Sequence, residues 1–355
     1  MTPEEIRLRR LYNQHVLAPS LNDPTQVVAH LAAMQAQEYA HAKWAIALRM
    51  KEPVTDDAIE ILFTEGKILR THMLRPTWHF VAPQDIRWML ELTAPRVNAV
   101  NAFTYRRYGL DDKVFSKSNT LIEKLLRDNN YLTRDAIKDE LKKTGITGDG
   151  IMLSAIMMKA ELDGLICSGP RIGNQFSYAL LEERVPPAKK LTKQEALKEL
   201  TLRYFTSRGP ATIKDYTTWS GLTVKEAKEG LSLNPDLDKV TIEGAEYYFT
   251  GDVPKVKGGK VTFLMPDYDE YGMGYKDRSV LKIPASPEKP KFDRMLIVDG
   301  VIAGSWRRTL QKDTVLLDIQ LFKGYSASDK AIEEAITKYE NFLSKKIILH
   351  NGDHL

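Results

Sequence analysis

Apolar positions recur at helical spacing through most of the chain up to about residue 250, then give way to short alternating or continuous runs. The spacing predicts helices over 3–17, 25–34, 39–50 and 56–65, with Val28, Leu31 and Gln35 in register on the second and Asp23-Pro24 marking its start. Strands over 68–73 and 77–82 follow around a Leu74-Arg75-Pro76 turn. Pro83 then opens a helix carrying Ile86, Met89, Leu90 and, beyond Pro95, Val97 and Val100. The plan recurs. Ser118 is the expected N-cap of a helix bearing Leu121, Ile122 and Leu125, and Thr133 that of one bearing Ile137 and Leu141. A third helix runs from near Asp149 to Asp163-Gly164, and Leu165 to Ser168 with Gln175 to Ala179 reads as a hairpin with a tip containing Gly169, Arg171 and Gly173. After a Pro- and Lys-rich linker, Val185 to Lys190, the order repeats with Thr192 as N-cap: helices over 192–207, 212–219 and 223–230, then strands Leu237 to Ile242 and Tyr247 to Thr250. Helices closed by a hairpin, three times over, predict winged-helix units.

Past Val261 the runs Thr262 to Met265, Arg294 to Val298, Val301 to Gly304 and Val315 to Ile319 predict a small sheet or barrel. A final amphipathic helix, Ser328 to Ser344, presents Ile332, Ala335, Ile336, Tyr339 and Phe342 on one face. The expected fold class is α+β, with tandem winged-helix domains followed by a small C-terminal β-sheet or barrel domain. The expected divisions are 1–110, 111–186, 187–254 and 255–355.

Composition narrows the function classes. With 43% hydrophobic and 28% charged residues the chain has the balance of a globular protein, and no run approaches the roughly 18 to 20 apolar residues of a membrane helix. The first ten residues are charged throughout and lack the apolar core of a secretion signal, which leads to the expectation of a cytoplasmic protein, nucleoid-associated when bound to DNA. The single cysteine, Cys167, excludes an intramolecular disulfide and a Cys-rich zinc site; beside Leu165 and Ile166 it reads as a buried strand position. A net charge of +4 permits a nucleic-acid partner without demanding one. Neither a Gly-rich phosphate loop nor a zinc pattern is present, so neither a metal nor another cofactor is expected.

The chemistry concentrates in the first hairpin, where Arg70, His72, Arg75 and His79 lie on one segment with Trp78 and Phe80. Arg70 and Arg75 are phosphate candidates; His72 and His79 suit either phosphate or lesion contact, or a hydrogen-bonded structural role. Arg171 sits at the second hairpin tip, and Arg307 and Arg308 follow Trp306, where guanidinium forks suit a DNA backbone. Asp267, Asp269 and Glu270 lack a His or Cys to complete a metal site and read as a structural turn that orders Arg278 or Arg307.

Gln35-Ala36-Gln37, the Arg70 to Phe80 hairpin, Leu264 to Tyr271, Tyr275 to Ser279 and Gly304 to Arg308 together, and in this order, resemble the AlkZ/YcaQ family of bacterial DNA glycosylases. The resemblance implies tandem winged helices and a C-terminal β domain around a concave DNA cleft without a deep base pocket, double-stranded and damaged DNA as partner, and no obligate protein partner. It also implies a catalytic Gln, apolar, Gln-or-Asp motif, matched here by Gln35, Ala36 and Gln37; the expected DNA-contact residues are Arg70, His72, Arg75, His79, Arg171, Arg278, Arg307 and Arg308. Pro76 departs from the glycine more often found at its position. The implied activity is hydrolysis of the N-glycosidic bond of bulky or N7-alkylated purines, including the unhooking of crosslinks.

The residues fit that chemistry only under a geometric condition. Two glutamines two apart point to opposite sides of a continuous helix but to one side of an extended segment, so a shared site requires a break near Gln35. A carboxamide can hold a water but cannot take its proton, which suits a leaving group that is already cationic. Taken alone, Gln-x-Gln is a very weak signal and more often caps or decorates a helix end. The alternatives are therefore a non-catalytic winged-helix DNA-binding protein and a transcription regulator.

Overall fold

The computed structural model describes residues 1–188, 190–251, 261–281 and 294–350. Lys189 of the expected linker, and 255–260, 282–293 and 351–355 of the expected C-terminal domain, lie outside the described residues. Helix α1 (Pro3–Asn13) opens with a capping box, in which the Thr2 hydroxyl accepts the Glu5 N–H and the Glu5 carboxylate accepts the Thr2 N–H.

One topology then occurs three times. The first repeat is α2 (Pro24–His30), β1 (Ala33–Gln35), α3 (Tyr39–Leu48), α4 (Asp56–Thr64), β2 (Leu69–Met73) and β3 (Thr77–Val81), with sheet order β1-β3-β2. Helix α5 (Pro83–Arg107) leads to the second: α6 (Asp112–Leu126), β4 (Leu132–Thr133), α7 (Arg134–Lys143), α8 (Gly150–Leu162), β5 (Ile166–Ser168) and β6 (Ser177–Leu180), in order β4-β6-β5. After the short α9 (Leu181–Arg184) comes the third: α10 (Lys193–Arg208), α11 (Ile213–Ser220), α12 (Val224–Ser232), β7 (Asp238–Ile242) and β8 (Ala245–Phe249). Its inner strand is reduced to Ala211, which exchanges backbone hydrogen bonds of 3.1 and 2.8 Å with Tyr248. Helix, strand, helix, helix, hairpin is the winged-helix order.

Two expectations change. The helix expected over 25–34 stops at His30: Ala32 takes φ +60° and Ala33 to Gln35 extend, because β1 can then pair with β3. Tertiary ladder bonds outweigh the helical spacing of Val28, Leu31 and Gln35. Ser118 is not an N-cap. Helix α6 starts earlier, at Asp111, whose carboxylate accepts the Val114 N–H, while the buried Ser118 donates to the Phe115 carbonyl inside the helix. Helix α5 carries on through Pro95 as expected and runs for 25 residues.

The C-terminal region forms an open five-stranded sheet among the described residues, built from β9 (Thr262–Leu264), β10 (Met295–Val298), β11 (Val301–Leu310), β12 (Thr314–Leu321) and β13 (Lys346–Leu349) in the order β13-β12-β11-β10-β9. A short helix, α13 (Glu270–Met273), follows β9. The last strand was not marked by the sequence pattern; it pairs parallel to β12, reached through the crossover helix α14 (Asp329–Leu343). Among the described residues no helix is long and apolar enough to cross a membrane.

The first repeat is the centre of the molecule. Its Met34 and Phe80 belong to a core shared with the C-terminal sheet and α14, whereas its Ala33, Leu69, Met73 and Val81 belong to one shared with α5 and the third repeat. A hub made by Leu264 to Glu270 locks these parts together. The indole N–H groups of the buried Trp44 and Trp306 donate to the Leu264 and Met265 carbonyls, both at 2.7 Å, and that of Trp219 donates to Glu270 at 2.9 Å. Cys167 is buried on β5, and burial pushes its thiol up to about 12, so it is an inert core residue.

Candidate DNA-processing site

Gln35 ends β1 opposite His79 on β3, which pairs in turn with Thr71 on β2. Residues opposed across strands share a sheet face, so these three form one row on the face turned to the third repeat. Arg70, His72 and Trp78 alternate to the other face. The extended Gln-Ala-Gln segment is fixed along its backbone: the Gln35 N–H donates to Glu270 Oε1 at 2.8 Å, the Ala36 N–H to the Trp78 carbonyl at 2.7 Å, and the Ala36 carbonyl accepts from Arg70 Nε at 3.0 Å. The required chain break near Gln35 is present.

The two glutamine side chains differ. Gln35 is 7% exposed and its Oε1 accepts from Arg75 Nη2 at 3.0 Å. A guanidinium only donates, so the oxygen must be the atom that faces it, and the amide NH2 is left as the uncommitted end. Gln37 is half-buried and makes no hydrogen bond among the described residues. Arg75 also donates to the Trp219 carbonyl, which clamps the turn of the first hairpin onto α11. At that contact Gly221 has φ +72°, and a Cβ there would stand 2.2 Å from the Leu74 carbonyl oxygen.

Beneath Gln35 lies a buried ion pair. Glu270 accepts from Arg208 Nε at 3.0 Å and Nη2 at 2.7 Å, while Arg208 also donates to the Leu31 and Ala33 carbonyls and stacks over Trp219 at 4.4 Å. Asp269 forks onto Arg49 at 2.8 and 2.9 Å. The partners of these two carboxylates are therefore Arg208 and Arg49 rather than Arg278 or Arg307. Neither partner is conspicuous by charge alone, but each has a signal: Arg49 follows Ala42, Ala45 and Ile46, and Arg208 follows Thr201, Tyr204 and Phe205, in the apolar register of their helices. An arginine on a core stripe announces a buried partner.

Several expected DNA contacts are enclosed. Arg70 lies between the rings of Trp78, at 4.2 Å, and Phe176 of the second hairpin, at 4.5 Å. Burial lowers its pKa to about 10, which leaves it charged at neutral pH. His72 pairs with Glu161 of α8 and packs on Trp78. His79 is fully buried; its Nδ1 donates to the Thr77 carbonyl at 2.9 Å and burial holds the ring neutral, far below the usual histidine range. Its Nε2, with the hydroxyls of Thr71 and Thr77, has no partner among the described residues. Arg70, His72 and, through Nδ1, His79 thus engage neighbouring protein and support the hairpin.

The remaining arginines are more open. Arg171 stacks on Phe176 at 4.4 Å and on Tyr39 at 5.3 Å, so the second hairpin tip stands beside the residues just after Gln37. Sequence reasoning missed Tyr39 and Phe176 because neither ring lies near the other in the chain. Arg307 is exposed and its guanidinium makes no hydrogen bond or ion pair among the described residues; Arg308 engages Tyr339, and Arg278 donates to the Gly272 carbonyl at 2.7 Å. His41 resembles an ion-paired histidine, with Nδ1 at 3.4 Å from Asp267 Oδ2, but the same nitrogen accepts the Asp267 N–H at 2.9 Å. The ring is thus neutral, with a pKa that burial lowers to about 3. No group of three or more His, Cys, Asp or Glu side chains among the described residues is arranged to hold a metal.

Three winged-helix repeats closed by a β-sheet domain, with a rigid amide-bearing segment at their junction, define a nucleic-acid-processing architecture. The profile of the family described as DNA glycosylase AlkZ-like matches residues 28–342, and the chain belongs to that family. It is accordingly a DNA repair enzyme of the glycosylase class, a hydrolase of N-glycosyl bonds. Its fold is similar to that of the Streptomyces sahachiroi DNA glycosylase AlkZ, with a TM-score of 0.75 at 19% identity over 99% of this chain and 100% of that one. A comparison with curated protein sequences gives no match.

Proposed function

We propose that the enzyme releases N7-alkylated and other bulky alkylpurines from double-stranded DNA, crosslinked purines among them. Gln37 is the principal water-holding residue and Gln35 its oriented partner. The observation that carries this reading is the asymmetry of the pair: Gln35 Oε1 is committed to Arg75, while the Gln37 carboxamide keeps donor and acceptor free. The carboxylate that touches the segment, Glu270, is ion-paired to Arg208 and also accepts from the Gln35 N–H and the Trp219 indole, so it supports the backbone instead of taking a proton.

Such a site matches an alkylpurine. Alkylation at N7 makes the base a cation, and it leaves the sugar as a neutral molecule when the glycosidic electron pair moves onto the ring, so no general acid is required. The water adds to the anomeric carbon as oxocarbenium character develops; its proton passes to solvent. The protein contributes orientation and electrostatic stabilisation. Arg171, Arg307, Arg308 and Arg278 border the DNA path in this reading, and the enzyme works where the chromosome is accessible.

The test is single-turnover release of free base from duplex DNA carrying N7-alkylguanine adducts of increasing size. Gln37→Ala is expected to lower the rate by roughly 100-fold with DNA affinity retained. Gln35→Ala lowers the rate as well and costs about 1–3 kcal/mol in stability, since Arg75 loses an acceptor. Tight DNA binding by the wild type with no release from any adduct would instead establish a non-catalytic DNA-binding protein.

A further inference from the structure

The three hairpins of the repeats are not equally available. Strands β2, β5 and β6 are buried throughout and β3 is buried over its second half, whereas no residue of β7 or β8 is buried. The first hairpin is held against α11 through Arg75, and the second against the first through Phe176 and Arg70. Only the third, among the described residues, keeps both of its strands open to solvent.

Between that wing and the helices of its own repeat lies a groove of about 790 Å³, lined by Lys214 of α11, Lys228 of α12, Tyr247 of β8, and Lys276. All three lysines are exposed, and their ammonium groups make no ion pair or hydrogen bond among the described residues. Two carboxylates share the groove and are engaged: Glu246 with Lys239 at 3.1 Å and the Tyr248 hydroxyl at 2.7 Å, and Asp277 with the Ser279 N–H at 2.8 Å. Lys276 is set in place by its backbone, whose N–H donates to the buried Asp215 at 2.8 Å. Uncommitted ammonium groups on three separate elements, around one groove, form a site for a chain of phosphates.

We infer that this groove of the third repeat binds the phosphodiester backbone of duplex DNA, with Lys214, Lys228 and Lys276 on successive phosphates and the Tyr247 ring against the sugar edge. The groove and the Gln-Ala-Gln segment lie on opposite ends of one helix: α11 lines the groove with its first turn and gives Arg75 the Trp219 carbonyl from its last. At 1.5 Å per residue the two ends are about 9 Å apart along the axis. A duplex seated in the groove therefore stays within reach of the first hairpin. The inference extends the glycosylase reading by adding an anchoring surface away from the lesion, one that reads no base.

The experiment is fluorescence anisotropy of the full chain with undamaged duplex DNA across a salt titration, which reads binding independently of base release. Lys214→Ala/Lys228→Ala/Lys276→Ala is expected to weaken binding at least about 10-fold at low salt and to reduce the slope of log K against log salt by about 2 to 3, since each phosphate contact contributes roughly 0.9. Lys228→Glu alone, at an exposed helical position, is expected to weaken binding in the same direction. Affinity and slope unchanged in both variants would overturn the groove assignment, whatever the wild type does with alkylated DNA.

Discussion

The first and third hairpins follow one topology and have opposite surroundings. In the first, Arg75, His79 and Thr71 are enclosed, the turn is clamped to α11, and the strand beside it carries Gln35 into a fixed position. In the third, every strand residue keeps some solvent contact and the lysines of the groove beneath are uncommitted. The difference teaches that a wing's role follows from what packs on it. A wing wedged between repeats becomes a scaffold for the segment beside it, and a wing left outside keeps its polar groups for solvent.

The strongest way to break the comparison is to release the first hairpin. Glu270 joins Gln35, Trp219 and Arg208, so Glu270→Ala strands a buried guanidinium and is expected to destabilise the protein by about 3–5 kcal/mol in chemical denaturation. A loss under 1 kcal/mol would mean that the ion pair does not hold the scaffold. Arg70→Met keeps the stem between Trp78 and Phe176 but removes the bond to the Ala36 carbonyl and the charge over both rings. An expected cost of roughly 1–3 kcal/mol should appear in thermal unfolding together with slower base release. Retained kinetics alongside lost stability would show that the segment's position does not depend on Arg70.

Protonation gives the smallest handle, and again only on one side. The third hairpin contains no histidine, whereas His79 lies at the centre of the first, and the half-buried His30 and the buried His41 belong to the same repeat, with pKa values lowered to about 4 and about 3. Their folded values lie below the unfolded one near 6.5, so the unfolded chain takes up protons first. Their stabilising contribution is fully present above about pH 6.5 and falls as pH drops below it, by on the order of 1 kcal/mol per group per pH unit. His79→Phe should flatten the fall of Tm between pH 6.5 and 4. An unaltered slope would remove His79 from the account.

Much of this was legible in the chain. Helical spacing, capping residues and hairpin signals gave the repeated units, since they report interactions a few residues long: Thr192 and Thr133 cap helices as expected, and Cys167 sits in a buried strand. The Gln-Ala-Gln motif and its need for an extended break were also readable, because side-chain direction follows from backbone geometry alone. What local pattern could not decide was where each hairpin would be packed. The strand at Ala33 to Gln35 forms only because β3 offers a ladder to it, against the helical spacing of its neighbours.

The sequence by itself therefore determined the elements, their order and the chemical types available: amides without a general base, and arginines on one segment with aromatic rings. Only the tertiary structure decided which of them are spent. Arg70, Arg75, Arg208 and Glu270 are drawn into contacts between residues 34 to 235 positions apart, and such pairings depend on how the repeats close on one another. Burial makes an unpaired charge costly, so these groups must find partners wherever the fold brings them. Gln37 and the groove lysines keep their contact with solvent, and water satisfies them there.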